Sequence, residues 1–269
     1  MIVSLVSNKG GTGKTTIATN LAISLSLLNK KVILVDLDGV GGVLFSFGKT
    51  YEQVKNNNVF SVLNNQNDLE DCVVELNKNI HLLCSDAKLQ NWDSLVLKNP
   101  NLEKQLGLLF KFLDQKYDYV IIDNAPQLSS LNQFVIKNSD LIVIPFEYEQ
   151  VNTFAAFATL AFIKDLTNNN QTINKLLVPN RIKIDKTTNE LKLTKAEQVL
   201  KSYWDSYLSS LEDKHLKISK NGIFNSSQLK NYIINHNLPL MTTESNAKPL
   251  VKLKEQFNNL AKEISSYKK

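Results

Sequence analysis

The sequence predicts an α/β fold, a doubly wound, mostly parallel sheet flanked by helices. Three observations point to it. Short β-branched apolar runs alternate with stretches of helical period along most of the 269 residues. A glycine-rich turn joins the first apolar run to the first helical stretch. Two later runs end in aspartate, which puts carboxylates at the sheet edge where open α/β sheets bind ligands.

The first run, Ile2-Val3-Ser4-Leu5-Val6, is brief and apolar, as a buried parallel strand should be. Ile17, Leu21, Leu25 and Leu28 then recur at helical spacing. Between them, Ser7-Asn8-Lys9-Gly10-Gly11-Thr12-Gly13-Lys14-Thr15-Thr16 makes a strand-to-helix turn. Glycines at 10, 11 and 13 let the backbone approach a ligand with no Cβ in the way. Successive N–H groups and the positive helix end favour an anion. This is a phosphate cradle: Lys14 neutralises β- and γ-phosphates, the Thr15 hydroxyl ligates Mg²⁺, and Thr16 reaches the α-phosphate. The ordinary G-x-x-x-x-G-K-[ST] pattern requires glycine at position 8, where this chain has Asn8, and a second lysine follows at Lys9.

The variant K-G-G-x-G-K-[ST]-T over Lys9–Thr16 resembles the deviant Walker A motif of the ParA/MinD group of P-loop ATPases. The resemblance implies ATP hydrolysis with ATP and Mg²⁺ as cofactors, and a nucleotide-sandwich homodimer formed on ATP. It also implies that Lys9 crosses the dimer to contact the other subunit's phosphates.

After Lys30-Lys31, Val32-Ile33-Leu34-Val35 predicts a second buried strand, closed by Asp36-Leu37-Asp38. Side chains alternate along a strand, so the two aspartates share one side at its carboxyl end. In the resembled group this is switch I, which makes Asp38 the residue that positions the attacking water, catalytic together with Lys9 and Lys14. The group commonly continues Pro-Gln-Gly-Asn; this chain has Gly39-Val40-Gly41-Gly42.

Residues 49–115 read as polar loops between short helices. Val73-Val74 and Ile80–Leu83 can pair as strands, with His81 beside the sheet and outside the chemistry. Leu102, Leu106, Leu109, Phe110 and Leu113 mark an amphipathic helix. Tyr119-Val120-Ile121-Ile122-Asp123 is a strand ending in aspartate, the Walker B arrangement, in which Asp123 holds the hydration shell of Mg²⁺. Asn124-Ala125-Pro126 follows, where the ParA group has Thr-Pro-Pro. Leu141–Pro145 is another buried strand. Val151–Leu166 is a long helix whose Phe154, Phe157 and Phe162 suit core or dimer surface. Leu176–Arg181 ends a further strand, and the resemblance gives Asn180 the adenine base.

Charge is unevenly placed. Residues 1–174 hold 14 basic against 17 acidic side chains, and residues 175–269 hold 17 against 9. One domain spanning 1–269 is expected, with a basic C-terminal third from about 181 to 269. Lys183, Lys186, Lys192, Lys195, Lys201, Lys214, Lys217 and Lys220 run through a loop and a helix carrying Val199, Leu200, Tyr203, Trp204, Tyr207, Leu208 and Leu211. They suit either a solvated face over a core stripe or a patch on DNA phosphates that reads no bases. The resemblance favours the second, with non-specific DNA and a ParB-like centromere-binding protein as partners in plasmid or chromosome segregation.

The final stretch, Pro249–Lys268, puts Leu250, Leu253, Phe257, Leu260, Ile264 and Tyr267 on one stripe, which suits docking on the core. The alternative is a MinD-like membrane-cycling ATPase that positions proteins or the division site, in which such a helix binds lipid. Cys72 and Cys84 have neither metal nor disulfide spacing and read as reduced core residues. The chain enters its first strand without a basic n-region or cleavage site, and its longest apolar run is short of a membrane span. A cytoplasmic, nucleoid-associated protein is expected.

Overall fold

The apolar runs become strands buried on both faces, as parallel strands under helices must be. The computed structural model describes residues 1–127, 129–167, 173–182, 192–225 and 238–267. In chain order the elements are β1 (Ile2–Leu5), α1 (Lys14–Leu27), β2 (Val32–Asp36), α2 (Gly42–Phe45), α3 (Val59–Leu63), α4 (Leu69–Cys72), β3 (Val73–Asn77) and β4 (Ile80–Leu83). There follow α5 (Trp92–Lys98), α6 (Asn101–Lys116), β5 (Tyr119–Asp123), α7 (Ser130–Lys137), β6 (Leu141–Phe146) and α8 (Gln150–Thr167). The last are β7 (Asn174–Pro179), α9 (Lys195–Ser210), β8 (Leu216–Ile218) and α10 (Lys248–Ser265).

The described strands form one sheet in the order β3-β4-β2-β5-β1-β6-β7-β8. Only the β3–β4 hairpin pair is antiparallel. The sheet is therefore the doubly wound, mostly parallel one that the apolar runs predict. In register, Asp123 lies beside Leu5 on one side and Asp36 on the other. The glycine-rich turn and both strand-ending aspartates thus meet at one edge.

Helix α1 departs from the simple amphipathic reading. Its Ile17, Leu21 and Leu25 face the core, but Asn20, Ser24 and Ser26 are buried as well. The reason is α10, which lies along the outer side of α1 and buries Leu250, Leu253, Phe257, Leu260 and Ile264 there. Asn20 Oδ1 accepts from Met241 N at 3.0 Å, and Glu263 accepts from Ser219 Oγ and Asn221 Nδ2, both at 2.6 Å. The apolar stripe of α10 is spent on the core, so the lipid-binding alternative is not favoured. Among the described residues no helix is long and apolar enough to cross a membrane.

On the other face, the predicted stripe of α6 is buried residue for residue. Over β6 and β7, Trp204 of α9 is fully buried against Phe146 and Phe157, and Tyr207 stacks on Phe157. The stripe of α9 is only partly used. Val199 and Tyr203 stay exposed, as does Phe154 on α8, because α9 touches the body along the line of Trp204. Both cysteines are free and buried, and burial pushes the Cys84 thiol up to about 12, which leaves it inert.

His81 sits at the opposite end of the sheet from the aspartates, 2.6 Å from the Tyr117 hydroxyl. Burial raises Tyr117 to about 12, so the phenol keeps its proton within this hydrogen bond. Burial holds the imidazole below its ordinary value of 6.5, opposed by the Glu75 carboxylate and helped by Lys31 and Lys116. The folded state thus binds this proton less readily than the unfolded one. The stabilisation is complete above pH 6.5 and is lost as pH falls below it. Urea midpoints measured from pH 7.5 to 5.5 should fall in the native protein and fall less in His81→Gln.

Candidate nucleotide-binding site

The turn between β1 and α1 is anchored from three sides. Gly13 caps α1 in the left-handed region, with φ +94°, and its carbonyl accepts the first helical bond from Ile17 N at 2.9 Å. Asn8, at the ordinary motif's glycine position, is held by α8: the Thr159 hydroxyl accepts from Asn8 N and lies 3.3 Å from Asn8 Oδ1. The first of these contacts is made by the backbone and the second adds the Asn8 side chain to it, so the turn rests against α8. From the third side, Asn180 Nδ2 donates to the Thr12 carbonyl at 2.8 Å.

The two lysines of the turn are placed differently. Lys14 is buried, and burial lowers its pKa against the opposing pull of Asp123 and Asp38. Lys9 stays at the rim with its side chain 34% exposed, and its amine is 3.9 Å from Glu149. Thr15 Oγ1 donates to Asp123 Oδ2 at 2.6 Å. The other carboxylate oxygen, Asp123 Oδ1, is buried with no hydrogen-bond partner among the described residues. Thr16 is half-buried at the start of α1, and Gly10 and Gly11 are open to solvent.

Asp36 and Asp38 do share one side of the site. Asp36 is fully buried and accepts from Asp38 N at 2.9 Å and Val43 N at 3.3 Å. One carboxyl therefore holds both ends of the 38–43 loop. Gly39 packs against the 87–91 turn so closely that a Cβ would meet Gln90 Cγ at 2.6 Å, so a larger residue here requires the Gln90 side chain to shift. Burial raises the Asp36 carboxyl well above its ordinary range, with Asp123 adding to the effect, and burial raises Asp123 to about 7.

Two buried carboxyls beside an orphaned oxygen describe a place short of a cation. A hard ion bound through one hydroxyl, one carboxylate and its own waters fits these donors.

Downstream of Asp123, Asn124 and Ala125 stand where the resembled group has Thr-Pro. Asn124 Nδ2 donates to Leu5 O at 3.0 Å, and Asn132 of α7 donates to the carbonyls of Ala125 and Gln127. Asn180 follows β7 and is buried beside Gly13.

The sequence profile of the AAA domain family matches residues 1–178. A ParA family protein of Mycoplasma genitalium is 30% identical over 194 residues, 68% of this chain and 72% of that one. The chain belongs to the ParA family. The sporulation initiation inhibitor protein Soj of Bacillus subtilis is 26% identical over 223 residues, 81% of this chain and 86% of Soj. In fold, this ParA family member is similar to a Borrelia burgdorferi protein described as a plasmid partition protein and bound to AMPPNP. There the TM-score is 0.75 at 22% identity, with 98% of each chain covered.

The ParA chain's predicted DNA lysines are dispersed. Lys183 and Lys186 lie outside the described residues. Lys192 and Lys195 are at the start of α9, and Lys201 pairs with Asp205 one turn on, at 2.7 Å. Lys214 precedes β8. Lys217 lies within β8, over the Tyr267 ring, and shares a shallow cavity with Lys220. Among the described strands β8 lies at the sheet's edge, a position where lysine is common because it discourages strand addition.

The sequence reading left out several residues of the site: Asp36 as the holder of the 38–43 loop, Glu149 beside Lys9, Thr159 beside Asn8, and Asn132. Asp36 was signalled by period-two alternation with Asp38. The others come from remote elements with no local motif.

Proposed function

We propose that this protein is an ATP-dependent partition ATPase that acts in plasmid or chromosome segregation, in the cytoplasm at the nucleoid. ATP and Mg²⁺ join two subunits face to face, and Lys9 of each reaches the other's phosphates. The dimer binds DNA without reading sequence, through lysines of the basic C-terminal third. A ParB-like partner stimulates hydrolysis and releases it. The observation that carries this reading is the difference between the loop's two lysines. Lys14 is buried beside Asp123 and Asp38, whereas Lys9 stands at the rim with its amine 3.9 Å from Glu149, where a neighbouring subunit can reach it.

In the reaction the terminal phosphoryl group of ATP passes to water, with ADP as the leaving group, giving ADP, phosphate and a proton. Gly10, Gly11, Thr12 and Gly13 offer backbone N–H groups to the phosphates, Lys14 neutralises charge on the transferred group, and Thr16 reaches the α-phosphate. Thr15 and Asp123 would hold magnesium, Asp123 through its orphaned oxygen and a water. When bound, the ion supplies charge neutralisation between phosphate oxygens. Asp38 positions the attacking water from a loop whose ends Asp36 fixes. Asn180 contacts the base.

The test is a DNA titration by fluorescence anisotropy with ATP, with ADP and without nucleotide, at 50 and 200 mM salt. Binding that needs ATP, ignores sequence and weakens steeply with salt is expected. Absence of binding with ATP at either salt would overturn the DNA part of the proposal.

A further inference from the structure

The side chain of Asn180 uses both ends of its amide inside the protein. Nδ2 donates to Thr12 O at 2.8 Å, and Oδ1 accepts from Arg181 N at 2.9 Å. These two bonds fix which end is which, since a flipped amide would face oxygen with oxygen and N–H with N–H. The backbone beneath is also fixed. Asn180 N donates to Phe146 O at 2.7 Å, and Arg181 adopts φ +54° with its guanidinium 2.8 Å from Glu147. Asn180 is therefore a strut standing on β6 and β7 with its tip against the phosphate loop.

What the strut touches is informative. The Thr12 carbonyl and the Gly13 N–H belong to one planar trans peptide and point in opposite directions. Holding the carbonyl toward Asn180 turns the Gly13 N–H away from it, to the open side of the loop. Gly13 is the position where only glycine fits: its φ is +94°, and a Cβ would stand 2.4 Å from Asn180 Nδ2.

We infer that Asn180 is a positioning residue for phosphate binding. Through Thr12 O it aims the Gly13 N–H at the anion, so that the residue at the base also sets the loop's affinity for a polyphosphate. This rests on the reading of residues 9–16 as a triphosphate cradle. It goes beyond a base contact, because it requires Asn180 to matter for a ligand with no base.

Inorganic tripolyphosphate with magnesium is that ligand. Its binding to the native chain, Asn180→Leu and Asn180→Ala is measured by calorimetry beside ATP, with a thermal melt of each unliganded protein. Leucine keeps the shape and removes both hydrogen bonds; alanine removes them without crowding, in case leucine does not fold. Affinity for tripolyphosphate should drop about tenfold in a variant that melts near the native temperature. Unchanged tripolyphosphate binding with weakened ATP binding would overturn the inference and leave a plain base contact. Failure of the native protein to bind either ligand would overturn the cradle reading itself, and the inference with it.

Discussion

Replacing Lys14 by glutamine is expected to weaken ATP binding by roughly a hundredfold or more, the scale of losing a buried charge from a charged pair. The amine is buried near Asp123 and Asp38, and glutamine brings no charge to replace it. Glutamine preserves most of the side chain's length, and the unliganded protein should melt within a few degrees of the native one. Titration with a fluorescent ATP analogue gives the affinity. Native ATPase activity in Lys14→Gln would remove the phosphate assignment and, with it, the proposed function.

Asp38→Ala should give the opposite phenotype, with ATP bound and not turned over. The backbone at Asp38 is held by Asp36 Oδ1, and its own carboxylate makes only a 3.1 Å bond to Val40 N. Alanine therefore keeps the loop's path and removes the group that positions water. Turnover should fall about a hundredfold or more. With ATP and magnesium, light scattering after size exclusion should show a dimer that persists where the native dimer decays. Native turnover in this variant would take Asp38 out of the mechanism.

Much of the fold was legible because it is written in short-range pattern. Runs such as Val32–Val35 and Tyr119–Ile122 are apolar on both alternating faces, which only a sheet covered on both sides tolerates. The glycine-rich turn was legible for the same reason, since strand, turn and helix are consecutive. The covered outer face of α1 was not legible in its own residues. Asn20, Ser24 and Ser26 look solvent-facing until α10, more than 200 residues on, is laid over them. The C-terminal third was less clear again. Lysines at helical spacing describe a solvated face and a DNA face equally well, and the stripe of α9 did not reveal that Tyr203 would stay exposed beside a buried Trp204.

By itself, then, the sequence determined the class of fold, the strand-to-helix turn from Lys9 to Thr16 and the acids Asp36, Asp38 and Asp123 at the carboxyl ends of β2 and β5. Each depends on the conformation of a few consecutive residues. Only the tertiary structure decided which distant groups meet: Thr15 with Asp123, Asn8 with Thr159, both ends of the 38–43 loop on Asp36, and Asn180 under Thr12. Such pairings are fixed by strand order and helix docking, which sum over contacts along the whole chain and leave no local trace at the residues they join.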